Sequence, residues 1–96
     1  MVDFFPTEEE ILIDLYNLLL SIEITSVEQK LYKRAIDLIE IEKEYYEAIM
    51  FQLTPALAYL ARTQGISNLG VKFMNKISRF TNGALSFYLF DTIVRK

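Results

Sequence analysis

The sequence predicts an all-α protein, an antiparallel four-helix bundle with an additional short C-terminal helix or tail. Three observations predict it. Glycine and proline total five in 96 residues, which favours few turns and long helices over many short strands. Apolar residues recur at helical spacing through four successive segments. A Ser or Thr followed three residues later by Glu or Gln opens two of those segments, the pattern of a capping box. The chain is 52% hydrophobic, with seven Phe and six Tyr. That suffices for one domain over residues 1–96 with one core and little more, ending in an apolar tail over 84–96.

The first helix is expected from Thr7 to Ser21. Thr7 and Glu10 form its capping box, Pro6 stands just outside, and three glutamates in the first turn suit the positive end of the helix dipole. Ile11, Leu15, Leu18, Leu19 and Ile22 form its apolar stripe, which Leu12, Tyr16 and Leu20 widen. The second helix opens at "EITSVEQK". Ser26 with Gln29 forms a capping box there, and Thr25 with Glu28 is an alternative one residue earlier. Its apolar set is Leu31, Ala35, Leu38 and Ile39, with Val27 and Tyr32 beside it, and its end is expected near Ile41. The charged stretch that follows has no Gly or Pro, so this helix either runs on or breaks near Glu42.

The third helix carries Tyr45, Ile49, Leu53, Leu57 and Leu60. Pro55 lies within it and lacks the N–H that the helix needs. Because the stripe keeps its phase, either a kink or a new start capped by Thr54 is expected. Gly65 fits the left-handed position after the helix end, with Ile66 folding back. Ser67 caps the fourth helix, whose stripe is Leu69, Gly70, Phe73, Ile77 and Phe80, with Met74 alongside. Its outer face carries Lys72, Asn75, Lys76 and Arg79, and Asn82-Gly83 stops it. The tail Ala84–Lys96 reads as a fifth helix with Leu85, Leu89 and Ile93 on one side. A lone strand, which "FYLF" would favour, has no partner in a helical chain.

Composition excludes much chemistry. The chain has neither cysteine nor histidine, which removes disulfides, thiol chemistry, the commonest general base and the commonest zinc ligand. Its three glycines are too scattered for a phosphate loop. No enzyme, metal or cofactor is expected. The opening "MVDFFPTEEE" has neither a basic nor a long apolar region, so no signal peptide is expected. The apolar run Ala84–Phe90 would span about 10 Å as helix, far short of the roughly 30 Å of a hydrocarbon core. It is expected to pack on the bundle, to lie in a membrane interface, or to meet a partner.

Charge is uneven. Residues 1–51 hold four Lys/Arg and twelve Asp/Glu, a net of −8; residues 52–96 hold six Lys/Arg and one acid, a net of +5. The two halves attract each other, or the basic half faces an anionic surface. Nucleic acid is not the expected partner at a pI near 4.9, because phosphate-driven affinity scales with the number of charges neutralised.

In order, the segments "ILIDLYNLLL", "AIDLIEIEKE", "ALAYLARTQGIS" and "VKFMNKIS" resemble the immunity proteins of pediocin-like (class IIa) bacteriocin producers, the enterocin A immunity family. The resemblance covers about residues 8 to 80. It implies a cytoplasmic four-helix bundle without catalysis, with peripheral contact at the inner face of the membrane. It also implies self-protection of the producer by binding a membrane component of a sugar phosphotransferase system that carries bound bacteriocin. In the family the C-terminal half sets which bacteriocin is recognised. That region here holds Lys72, Lys76, Arg79, Phe80, Phe87, Tyr88, Phe90, Arg95 and Lys96, the basic and aromatic residues nominated for partner binding. Phe87, Tyr88 and Phe90 are expected to form an aromatic edge. Many relatives are basic overall, whereas this chain is acidic, and its tail is more apolar than theirs. A small helical subunit of a nucleoprotein complex and a structural homodimer are the alternatives.

Overall fold

The computed structural model describes residues 6–78 and 87–95. Among them every regular element is helical: α1 Glu8–Leu20, α2 Ser26–Glu40, α3 Tyr46–Thr63, α4 Asn68–Ile77, a 3-10 turn Tyr88–Phe90, and α5 Asp91–Val94. Each of the four long helices packs on the next in sequence, α4 closes back on α1, and the C-terminal turn and α5 lie against α2 and α3. The radius of gyration is 12.3 Å, near the value of about 12.5 Å expected for a compact chain of this length.

The helix starts follow local chemistry. The Thr7 hydroxyl accepts from the Glu10 N–H, and the Glu10 carboxylate accepts from the Thr7 N–H. At α2 the alternative box prevails. Thr25, not Ser26, is the cap, with Glu28 as its reciprocal partner. Ser67 caps α4 by accepting from the Gly70 N–H. Gly65 closes α3 at φ 87° with its N–H on the Leu60 carbonyl, as a left-handed position after a helix demands. Between α2 and α3 the chain does break. Lys43 takes φ 60°, which lets the Glu44 N–H reach back to the Leu38 carbonyl.

Pro55 neither starts nor ends a helix, since α3 runs unbroken through it. Thr54 is therefore not a cap. It is buried in mid-helix, with its hydroxyl 3.0 Å from the Met50 carbonyl oxygen and 3.3 Å from that of Ile77. The second contact ties α3 to the end of α4.

The core is built from Ile11, Leu15 and Leu18 of α1, from Leu31, Tyr32, Ala35, Ile36, Leu38 and Ile39 of α2, and from α3 along its length between Ile49 and Leu60, closed by Phe73 and Ile77 of α4. Four expected stripe members are exposed: Tyr16 and Leu20, on the outer side of α1, and two others. Ile22 is 99% exposed and Tyr45 is exposed as well, because each falls just beyond a helix end, where periodicity no longer sets direction. In the tail the buried set is Phe87, Phe90 and Val94, while Leu89 and Ile93 are half-buried against the core. The 3-10 turn brings residues three apart onto one side, which shifts the inward face from the one an α-helix would give. Leu85 and the Asn82-Gly83 stop lie outside the described residues.

Candidate functional site

Side chains from α1 and α4 line a groove of about 230 Å³. Leu18, Leu69 and Phe73 form an apolar floor, and Asp14, Asn17, Lys72 and Lys76 form the rim. Lys76 reaches across to Asp14 at 2.6 Å. The volume is below the roughly 300 Å³ at which small-molecule pockets begin. The groove suits a protein side chain better than a metabolite. A second, wider trough of about 640 Å³ lies along α2, lined by Leu19, Gln29, Lys30, Lys33, Arg34, Asp37 and Ile93. Two of its cations are already paired, Lys33 with Asp37 and Arg34 with Glu42.

The nominated partner-binding residues do not form the expected set. Lys72 and Lys76 do meet, on the α1–α4 groove. Phe87 and Phe90 are corrected from docking residues to core, at 6% and 0% exposure. Phe87 packs on Tyr59 of α3 with ring centroids 5.5 Å apart. The Arg95 guanidinium covers it at 4.8 Å from the ring centre and binds Asp91 at 3.2 Å. The Leu89 N–H donates to the Gln52 side chain of α3. The tail is thus pinned by apolar burial and by a hydrogen bond, and only Tyr88 of its aromatic trio stands in solvent, 70% exposed. Arg79, Phe80 and Lys96 lie outside the described residues.

The most constrained polar cluster is one that sequence reasoning met only as a capping alternative. Glu28 is fully buried, yet its carboxylate accepts four hydrogen bonds. Oε1 takes the Thr25 N–H at 3.1 Å and the Ser67 N–H at 2.8 Å; Oε2 takes the Tyr32 hydroxyl at 2.8 Å and the Ser67 hydroxyl at 2.9 Å. Burial works to raise its pKa. The hydrogen bonds from Thr25, Ser67 and Tyr32 outweigh it and hold the carboxyl below its ordinary value. The group sits between the N-termini of α2 and α4, where both helix dipoles favour an anion. Burial and the same hydrogen bond push the Tyr32 phenol well above its ordinary range. Gly70 leaves the room: a Cβ there would overlap Glu28 Oε2 and stand 2.9 Å from the Tyr32 hydroxyl. With all four donors satisfied and the site closed, this is a clamp between helices and offers nothing to a ligand.

Among the described residues no group of three or more Asp or Glu is placed to hold a metal ion, and no helix is long and apolar enough to cross a membrane. Set against known proteins, the chain matches no family model, no curated protein sequence and no solved structure.

Proposed function

We propose that this chain is an immunity protein of the pediocin-like bacteriocin type, an antiparallel four-helix bundle with a short C-terminal helix packed on it. In this reading it works in the cytoplasm at the inner face of the membrane. It protects the cell that makes the bacteriocin by non-catalytic binding to the membrane component of a sugar phosphotransferase system once bacteriocin is bound there. The sequence resemblance over residues 8 to 80 supports the reading. One geometric observation carries it further. On α4, in the half of the chain where the family's recognition lies, Lys72 and Lys76 flank an apolar floor of Leu69, Phe73 and Leu18. An apolar centre with a charged rim is the anatomy of a protein contact.

The test is protection. A strain sensitive to pediocin-like bacteriocins is made to express the chain and is challenged with a panel of them and with an unrelated pore-former. The expected result is a large rise in tolerance to one or two members of the panel and none to the unrelated agent. Lys72→Glu, at an exposed position, is expected to cancel that protection while leaving the helical content unchanged. Good expression with no protection against any member refutes the proposal.

A further inference from the structure

Helix α1 has two apolar faces, and the molecule uses one. Ile11, Leu15 and Leu18 point inward and are buried. On the opposite side Ile13, Tyr16 and Leu20 are 53%, 44% and 82% exposed. The Tyr16 hydroxyl donates to the Glu40 carboxylate of α2, which fixes the ring on this face. The spacing 13-16-20 alternates three and four residues, the rhythm of a seam between two helices. Glu9, four residues before Ile13, extends the same line as a charged end. Single exposed apolar residues are ordinary, but a continuous track of them marks a contact surface.

We propose that this face joins two copies of the chain, with their α1 helices antiparallel and Tyr16 near the two-fold axis. Three observations on the molecule select a second copy as the occupant. First, the track is centred on Tyr16, so a half-turn about that point lays Ile13 of one copy against Leu20 of the other, as a self-complementary contact requires. Second, its ends differ in charge. Glu8, Glu9 and Glu10 crowd the start of α1. Its far end borders the trough that Leu19 shares with Lys30 and with Lys33, the latter already paired with Asp37. Antiparallel pairing brings each acidic end towards the other copy's Lys30, whereas parallel pairing would stack the two acidic ends together. Third, the area is of the right size. Ile13, Tyr16 and Leu20 expose on the order of 400 Å² per copy, and the flanking charged residues bring the patch towards the ~600 Å² per partner of a small specific interface. This inference does not rest on the immunity reading.

Because the chain has no cysteine, a single introduced thiol reports on one position cleanly. Sedimentation of the wild type between about 5 and 500 μM is expected to show the mass rising from 11.2 kDa towards twice that value. The charge-neutral variant Ile13→Ser with Leu20→Ser is expected to stay monomeric over the same range with unchanged helical content. Under mild oxidation Tyr16→Cys is expected to cross-link at least tenfold faster than Tyr88→Cys, an exposed position elsewhere on the molecule. Glu9→Lys and Lys30→Glu should each weaken association, and combining them should restore it. A wild type that stays monomeric at every concentration overturns the proposal. So does a dimer that survives the double serine change, or equal cross-linking rates for the Tyr16→Cys and Tyr88→Cys proteins.

Discussion

Replacing a helical glycine by alanine ordinarily stabilises a helix by about 1 kcal/mol; at Gly70 the sign should reverse. The added Cβ overlaps Glu28 Oε2 and crowds the Tyr32 hydroxyl at 2.9 Å. The carboxylate is the end of a flexible side chain, but it can move only by giving up the bonds that Oε2 receives from Tyr32 and Ser67. Hydrogen bonds to a charged group contribute about 1.5–3 kcal/mol each. Losing both, less the gain in helix propensity, predicts a net destabilisation of about 2–5 kcal/mol. For a domain this size that lowers Tm by roughly 10–30 °C. Urea unfolding at pH 7, followed by circular dichroism, measures it. A double-mutant cycle isolates the cause: in a Glu28→Ala background the overlap with Oε2 is gone and only the 2.9 Å approach to the Tyr32 hydroxyl is left, so the cost of Gly70→Ala should shrink markedly. A Gly70→Ala protein as stable as the wild type, or an undiminished cost in the Glu28→Ala background, refutes this account of the clamp.

Acid should act on the same clamp. The folded-state pKa of Glu28 is lowered, so its contribution is present above the unfolded value, near 4.3, and is lost as pH falls through the folded value. Glu28→Gln should therefore be less stable than the wild type at pH 7, by about 1–3 kcal/mol. That gap should narrow in unfolding curves taken at successively lower pH, as the folded carboxyl becomes protonated. Phe90→Ala removes a wholly buried ring and is expected to cost about 3–5 kcal/mol, read as a fall in urea midpoint; a docking role without a core role would leave the midpoint unmoved. Lys43→Gly relieves a left-handed backbone at an exposed loop position and should stabilise by about 0.5–1 kcal/mol, a rise of several degrees in Tm.

The correction to the tail also changes how its role must be tested. Cutting the chain after Gly83 would strip Phe87, Phe90 and Val94 from the core, so loss of protection after such a cut would report unfolding. Point changes at Tyr88 or Lys72, which stand in solvent, separate contact from fold. The groove residues Asp14 and Leu69 were not legible as a pair. Asp14 lies 55 positions from Leu69, and nothing in either neighbourhood distinguishes an acid at a groove rim from any other on a helix. Exposure of the outer face of α1 was equally hidden. "ILIDLYNLLL" is apolar almost all round, and periodicity alone widened its inward stripe to include Tyr16 and Leu20.

By itself the sequence determined the all-helical class, the starts of α1 and α4 at Thr7 and Ser67, and the end of α3 at Gly65. Those features depend on groups within five residues of one another, a hydroxyl facing an orphan N–H or a glycine taking positive φ, and such groups are always read together in the chain. Tertiary structure alone decided the rest. Thr25 prevails as cap because the carboxylate it shares, Glu28, is also held by Ser67, 39 residues away. Gly70 is required because Glu28 and Tyr32 come to lie against it. Phe87 and Phe90 became core because Tyr59 and Gln52 of α3 receive the tail. In each case the deciding partner is distant in sequence and close only after packing, and a buried carboxylate is tolerable only where packing delivers every donor it needs.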